Sequence, residues 1–341
     1  MSTQPEQKRW WVYQGTGEPH DGITHLEAPP PWRKRHGGAP PPRLMTVDGK
    51  PPFVPSAEEI EMVNAALLLR RPLLITGKPG TGKSTLARAV THELQLGEVL
   101  TWPITTNTTL QDGLYRYDAI ARLQEVAYRR ESGKGIEEDI SPFLHLGPLG
   151  TAMAPSAYPR VLLIDEIDKS DIDLPNNLLN IFEEGQFEVH PLSRQARRKA
   201  EKTGPQPEKT EPLRIRAYDS DELIVTDKGW VRAYEFPLVI MTSNNEREFP
   251  PAFLRRCLRL ELQEPTVERL EAIVTAHLGK GNLDEARELV TKFLELRKGG
   301  TLATDQLLNA IYLATRVGGP PQNKKSLIDT ILRRLEATGT P

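Results

Sequence analysis

The chain has 341 residues, and its 44 Lys and Arg residues nearly balance 46 Asp and Glu residues, for a formal net charge of -2. This balance argues against a chain-wide electrostatic attraction to nucleic acid or to an anionic membrane. One cysteine, Cys257, and scattered histidines cannot build a disulfide framework or a zinc site, which fits a reducing cytoplasm. Because there is neither a signal pattern nor a run of about 18 apolar residues, we expect a cytoplasmic protein without a membrane span.

The first 51 residues are rich in proline and aromatic side chains, a composition that predicts an extended arm. Trp10, Trp11 and Tyr13 are too apolar for a purely solvated linker, so we expect part of the arm to pack on the body. The glycine-rich segment at 15–23 does not follow a strand, and we therefore do not interpret it as a phosphate-binding loop. A capping box at Ser56 to Glu59 predicts the start of a first helix.

Five apolar runs of the sequence have strand character, and helical patterns lie between them. The runs cover residues 72–76, 98–104, 160–165, 236–243 and, more weakly, 258–262. Helical patterns include residues 83–94 and 174–184. Apolar strands that alternate with helices are typical of a parallel sheet with helices on both faces. We therefore predict an α/β core over residues 52–263.

Beyond residue 263 the strand patterns stop. Helical segments are predicted near 266–278, 283–297, 304–316 and 324–336, and a capping box at Asn282 to Glu285 opens the second of them. This pattern predicts a small all-helical domain over residues 264–341.

Residues 77–84 read GKPGTGKS and match the phosphate-binding pattern G-x-x-x-x-G-K-[ST], directly after a predicted strand and at the start of a helix. Glycines at this spacing let successive backbone N–H groups point at phosphate oxygens, and the helix N-terminus adds its positive end. We predict that Lys83 contacts the β- and γ-phosphates of ATP and that Ser84 ligates Mg²⁺. The predicted nucleotide-binding residues are Gly77, Pro79, Gly80, Thr81, Gly82, Lys83, Ser84 and Thr85. A guanine nucleotide stays open, because the sequence contains no base-recognition motif.

The run VLLIDE at 161–166 is a buried strand that leads into two carboxylates. We predict that Asp165 holds Mg²⁺ opposite Ser84 and that Glu166 polarises the attacking water. Asn244 follows the strand at 236–243 and is placed to orient that water or to contact the γ-phosphate. Asn245 is adjacent, so the register could differ by one residue.

Further segments follow in a characteristic order. They are GKPGTGKST at 77–85, HLGPLG at 145–150, VLLIDEIDKS at 161–170, LLNIFEEGQFEV at 178–189, and MTSN to FPPAFLRRC across 241–257. With them the sequence resembles the AAA+ superfamily and, within it, the MoxR-like and dynein-related group. The resemblance extends over about residues 52–262 and covers the helical remainder loosely.

The resemblance implies a P-loop core with a five-stranded parallel sheet of order 5-1-4-3-2 and a helical lid. It also implies hexameric rings with ATP bound between subunits, Asn244 as the first sensor, and an arginine finger. Arg256 aligns best with that finger, and Arg255 is the alternative. MoxR-like ATPases commonly act with proteins that carry a von Willebrand factor A domain, so the resemblance implies a protein client of that kind.

Two features depart from the family pattern. The hairpin before the sensor strand is enlarged by a basic insertion at about 191–222, which follows an insertion after strand two at 105–118. In the lid, Asp305 stands where the family usually has a second sensor arginine, so coupling of nucleotide state to the lid could fall to another residue such as Arg316.

Three functions follow as hypotheses. The first is an ATPase that remodels a protein client. The second is a nucleotide-gated scaffold with slow turnover, which the missing sensor arginine favours and Glu166 opposes. The third is a nucleic-acid motor that uses the basic insertion. Gly204 to Pro207 and the lack of aromatic residues between 191 and 217 favour a solvated, disordered loop over this third hypothesis.

Overall fold

The computed structural model describes residues 10–33, 35–47, 49, 53–133, 135, 139–203, 212–278, 283–297 and 304–316. The strands are β1 Leu73–Thr76, β2 Leu100–Pro103, β3 Tyr115–Tyr117, β4 Leu144–Leu146, β5 Val161–Asp165, β6 Gln186–Glu188, β7 Arg214–Arg216, β8 Leu223–Val225, β9 Trp230–Arg232, β10 Leu238–Ser243 and β11 Leu258–Glu261. The helices are α1 Ala57–Leu69, α2 Lys83–Leu94, α3 Leu110–Leu114, α4 Ala119–Glu131, α5 Pro148–Ala152, α6 Leu174–Glu184, α7 His190–Thr203, α8 Pro251–Arg256, α9 Val267–Leu278, α10 Leu283–Arg297 and α11 Thr304–Arg316.

The central element is a five-stranded sheet in the order β11-β1-β10-β5-β2, with every neighbouring pair parallel. These strands are the five apolar runs of the sequence. When the five are numbered in chain order, their spatial order in the sheet is 5-1-4-3-2. The predicted α/β fold class and strand order are therefore confirmed. Because all five strands are parallel, their carboxyl ends lie at one edge of the sheet, where α/β proteins bind their ligands.

Helices cover both faces of the sheet, as predicted. On one face α1 and α2 pack Val63, Leu67, Leu86 and Val90 into a cluster with alternate strand residues such as Ile75. On the other face α6 contributes Leu178 and Phe182 to a cluster that also contains Trp102. Helix α1 begins at the predicted capping box, in which Ser56 Oγ accepts the N–H of Glu59 and the Glu59 carboxylate accepts the N–H of Ser56.

The two insertions meet in a second sheet of order β3-β4-β7-β8. Strand β3 comes from the insertion after β2, whereas β7 and β8 lie within the enlarged hairpin formed by β6 and β9. The expectation of a disordered basic loop is wrong for residues 190–203, which form α7, and for β7. Leu192 and Ile215 are buried in the main apolar cluster, so both segments fold because they contribute to the core. Gly204 to Pro207 lie outside the described residues.

The N-terminal arm packs on the body, as its aromatic content predicts. The N–H groups of Val12 and Tyr13 donate to Asn64 Oδ1 at 2.7 and 2.9 Å, and both side chains are buried. The glycine-rich segment folds around Glu93, near the end of α2. This carboxylate is fully buried and accepts the backbone N–H groups of residues 14, 15 and 17 at 2.6 to 2.9 Å.

Helices α9, α10 and α11 form a separate apolar cluster that includes Leu270, Phe293 and Ile311. The predicted helices at 266–278, 283–297 and 304–316 are thereby confirmed. The helix predicted at 324–336, the capping box at Asn282 and the side chains of Asp305 and Arg316 lie outside the described part of the chain. No helix in the part that is described is long and apolar enough to cross a membrane.

Candidate functional site

The loop from β1 to α2 turns sharply at the carboxyl edge of the sheet. Gly77 has φ +147°, and a Cβ at this position would lie 2.7 Å from the carbonyl oxygen of Leu262. Gly82 adopts a left-handed conformation, φ 90°, immediately before the helix begins. Both conformations favour glycine, which explains why the chain has glycine at these positions. The loop consequently presents its backbone at the N-terminus of α2, which can bind an anion.

Lys83 is buried at the centre of this loop. Its ammonium group donates to the carbonyl oxygens of Gly77 at 2.7 Å and Lys78 at 2.9 Å, and to Asn244 Oδ1 at 2.8 Å. Burial lowers the pKa of Lys83 from its usual value, and the negative charges of Asp168, Asp165 and Glu166 oppose that change. A cation held in this way is ready to exchange carbonyl oxygens for phosphate oxygens.

Ser84, Asp165 and Thr242 form a hydrogen-bonded group beside the loop. Ser84 Oγ donates to Asp165 Oδ1 at 2.8 Å, and Thr242 Oγ1 donates to the same oxygen at 2.6 Å. The backbone N–H of Glu166 donates to Thr242 Oγ1 at 2.9 Å. Thr242 therefore connects both carboxylate residues of the β5 terminus to β10.

Glu166 follows β5 in a left-handed conformation, φ 59° and ψ 48°. This conformation is strained for a residue with a side chain, by about 1 to 2 kcal/mol, and the hydrogen bond to Thr242 helps to hold it. The Glu166 carboxylate is nearly half exposed and forms an ion pair of 2.8 Å with Lys169. The hydrogen bond with Glu166 raises the pKa of Lys169.

Asp168 positions the segment after β10. Its Oδ2 accepts the N–H groups of Asn244 at 2.9 Å and Glu246 at 3.1 Å. Through these bonds Asn244 is held with its amide oxygen on Lys83. The adjacent Asn245 has φ 61° and donates its N–H to Ser243 Oγ. The side chain that contacts Lys83 is thus that of Asn244.

Arg255 and Arg256 lie at the opposite end of the sheet. They end α8 just before β11, whose first residue pairs with the first residue of β1, Leu73. The phosphate loop follows the other end of β1, which lies roughly 10 Å away at about 3.3 Å per residue. Both side chains are exposed, and Arg256 forms an ion pair with Glu183.

The structure therefore brings together Lys83, Ser84, Asp165 and Asn244, with Glu166 at the rim. Within the same loop and helix start lie Pro79, Gly80, Thr81 and Thr85. It does not place Arg255 or Arg256 with them. Sequence reasoning missed Thr242, Asp168 and Lys169. The available signals were a threonine near the end of the buried strand 238–243, and an acid and a lysine shortly after Glu166.

The donor atoms at the β5 terminus suit Mg²⁺. A serine hydroxyl and a carboxylate are hard oxygen ligands, and Ser84 and Asp165 are already within hydrogen-bond distance of each other. Among the residues that the structure describes, no group of three or more His, Cys, Asp or Glu side chains could hold a metal ion. Mg²⁺ needs no such cage, because it keeps waters and takes phosphate oxygens as ligands.

A sequence model of one protein family, described as AAA domain (dynein-related subfamily), matches residues 72–257, which is more than half of the chain. The match begins at the residue before β1 and ends at the residue before β11. It therefore contains the phosphate loop, the β5 carboxylates, Asn244 and both arginines. No curated protein matches the chain.

Proposed function

Because the chain belongs to the dynein-related subfamily of AAA domains, we propose that it is a MoxR-like ATPase that hydrolyses ATP as a ring oligomer and remodels a protein partner in the cytoplasm. The observation that supports this most is the convergence of Lys83, Asn244, Ser84 and Asp165 within direct hydrogen bonds, with the Glu166 carboxylate next to them.

Nucleotide binding in this proposal uses the loop at 77–85. The backbone N–H groups and Lys83 bind the β- and γ-phosphates, since the ammonium group already lies among the loop carbonyls. Ser84 and Asp165 would hold Mg²⁺. When bound, Mg²⁺ neutralises charge on the phosphate oxygens. The hydrogen bond from Thr242 orients the Asp165 carboxylate.

In the chemical step this chain supplies a proton acceptor and a group that orients the water. Glu166 accepts the proton of the attacking water, and Asn244 contacts the water or the γ-phosphate through its amide. The ion pair with Lys169 engages Oε2 of Glu166, which leaves the other carboxylate oxygen to accept the proton. Asp168 keeps Asn244 in place through its backbone N–H.

An arginine finger completes the site from a neighbouring subunit. Arg256 lies a strand length away from its own phosphate loop, so it cannot reach the nucleotide bound there. Two points support this assignment: Arg256 is exposed at the end of α8, just before the edge strand β11, and AAA family members are typically oligomers. Arg255 is the alternative finger. In this proposal the ring is a homo-hexamer and the client carries a von Willebrand factor A domain.

The direct test is steady-state phosphate release with Glu166→Gln. The amide fits the site but cannot accept a proton, so we expect retained ATP binding and a loss of turnover of about 10²-fold or more. The matched control is Glu184→Gln, which removes an exposed carboxylate at the end of α6 and should leave turnover unchanged. Hydrolysis by Glu166→Gln near the wild-type rate would remove Glu166 from its role.

A second candidate function is a nucleotide-gated scaffold with slow turnover. The Glu166–Lys169 ion pair favours it, because Lys169 competes with a water molecule for the Glu166 carboxylate. Measured ATP binding without phosphate release by the wild-type chain, also in the presence of a client, would support the scaffold over the ATPase.

A further inference from the structure

A groove on the insertions has no role in the site described above. It has a volume of about 690 Å³ and lies between β3 and α4 on one side and α7 on the other. Its lining includes the cations Arg122, Arg194, Arg198 and Lys199. Among the described residues, no carboxylate lines it. We call this feature the basic groove.

Helix α7 supplies most of the positive charge, and its amphipathic pattern explains why. Leu192 and Ala196 pack against the main apolar cluster, so the opposite side of the helix faces outward. Arg194 and Arg198 are four residues apart and therefore point in the same direction, into the groove. Arg197 lies on another side of the helix, where it forms an ion pair of 3.8 Å with Glu188.

Arg194 and Arg198 concentrate positive charge on the side of α7 that lines the groove. Among the described residues, neither Arg194 nor Arg198 forms an ion pair, and the two arginines lie four residues apart on α7. Like charges at this spacing destabilise a helix. An anionic ligand in the groove would remove that repulsion, and the groove is within the size range of a binding cleft, about 300 to 1,000 Å³.

Helix α4 adds an apolar surface. Its Arg122 lies over the ring of Phe143 at the groove wall. None of its residues is buried, and Ile120 and Leu123 are 71% and 69% exposed. Tyr128 is also exposed. Exposed aliphatic side chains at helical spacing are typical of a surface that binds the apolar side chains of another protein.

The aromatic residues distinguish a protein ligand from a nucleic acid. Single-stranded nucleic acids stack successive bases on exposed aromatic rings. Of the two tyrosines that line the basic groove, Tyr115 is only 5% exposed, which leaves Tyr117, 37% exposed, as the accessible tyrosine. One ring provides little stacking, whereas carboxylates can pair with the arginines and apolar side chains can pack on α4.

We propose that the basic groove is a docking site for an acidic segment of the protein client, and that the exposed aliphatic residues of α4 contact apolar residues that flank this segment. This proposal rests on the proposed function, because it identifies the chemistry of the client that the ATPase would act on. The four cations in the lining of the groove commit the site to an acidic protein segment.

Binding of fluorescein-labelled probes to the full-length chain tests the proposal. The probes are a peptide rich in glutamate and leucine, the same peptide with glutamine in place of glutamate, and an oligo-deoxythymidylate. We expect binding of the acidic peptide only. Arg194→Glu with Arg198→Glu should weaken it about tenfold or more, and Ile120→Ser with Leu123→Ser should weaken it to a smaller extent. The control Arg43→Glu with Arg88→Glu changes the net charge equally at exposed sites on the arm and α2.

A failure of the docking site can be distinguished from a failure of the proposed function. All variants should retain wild-type phosphate release, since no substituted residue contacts the nucleotide site. If the wild type hydrolyses ATP but the groove and control variants bind the acidic peptide equally, the docking site is wrong and the ATPase stands. Tight binding of the oligonucleotide that is lost with Arg194→Glu and Arg198→Glu would replace the protein ligand by a nucleic acid.

Discussion

The hydroxyl of Thr242 bonds to the carboxylate of Asp165 at 2.6 Å, and it joins the fourth strand of the sheet in chain order to the third at the point where both strands end. The same oxygen accepts the N–H of Glu166. One hydroxyl thus orients the carboxylate that would hold Mg²⁺ and the backbone of the residue that would accept a proton.

Replacing Thr242 with valine should lower turnover while nucleotide binding is retained. Valine has the same shape but no hydroxyl, so Asp165 loses a donor and the left-handed backbone of Glu166 loses an acceptor. A misplacement of this kind can cost about 10²-fold in rate. Thr242→Ser keeps the hydroxyl and should stay close to wild type in a phosphate-release assay. Equal loss in the serine and valine variants would point to packing.

Mixing two inactive variants should restore part of the activity. Arg256→Ala lacks the finger, and loss of such an arginine costs about 10³ to 10⁵ in rate in related NTPases. Glu166→Gln lacks the proton acceptor but keeps its arginine. In a mixed oligomer, an Arg256→Ala subunit can receive the arginine of a Glu166→Gln neighbour. Phosphate release that stays at the level of the separate variants, with subunit exchange demonstrated, would exclude action between subunits.

Because Lys83 is buried, ATP affinity and the free energy of unfolding should change in opposite directions as the pH rises. Burial lowers the pKa of Lys83, so as the pH rises the ammonium charge is lost before that of an exposed lysine. ATP affinity should therefore fall at a pH below the ordinary lysine pKa of about 10.4. Between the two pKa values the unfolded chain binds more protons, so the free energy of unfolding without nucleotide should rise with pH.

The variant Lys83→Met isolates that contribution to stability. It carries no titrating group at this position, so the difference in unfolding free energy between wild type and variant should change over the same alkaline range. Urea unfolding at several alkaline pH values measures the difference. A constant difference would show that Lys83 titrates as an exposed lysine does.

Glu93→Ala should detach the N-terminal arm. The buried carboxylate accepts three backbone N–H groups of the glycine-rich segment, and removing it leaves these donors unpaired. We expect a loss of about 2 to 4 kcal/mol in the free energy of unfolding and faster proteolysis within the arm. Glu98→Ala, at an exposed position after α2, should change stability by less than about 0.5 kcal/mol. Similar losses in both variants would mean that Glu93 does not anchor the arm.

Much of the candidate nucleotide site could be predicted from local sequence. The glycine spacing of residues 77–84, the apolar run ending in Asp165 and Glu166, and the run ending before Asn244 each determine a strand and the polar residue at its end. Parallel strands place those ends at one edge of the sheet, so the convergence followed from the order of the motifs. Thr242 was not predicted, because a single hydroxyl in a buried strand has no local pattern that reports its partner.

The sequence by itself determined the five strands of the central sheet, the helices α1, α2, α6 and α9 to α11, and the phosphate loop, since hydrophobic periodicity and glycine spacing are local properties. The tertiary structure alone decided which distant segments meet. The basic groove combines Tyr117 and Arg122 with Arg194, about seventy residues later in the chain. Likewise, Glu93 accepts backbone N–H groups of the glycine-rich arm segment, about eighty residues earlier in the chain. Such contacts depend on the packing of whole elements, because the burial of Leu192 and Ile215 sets where α7 and β7 lie.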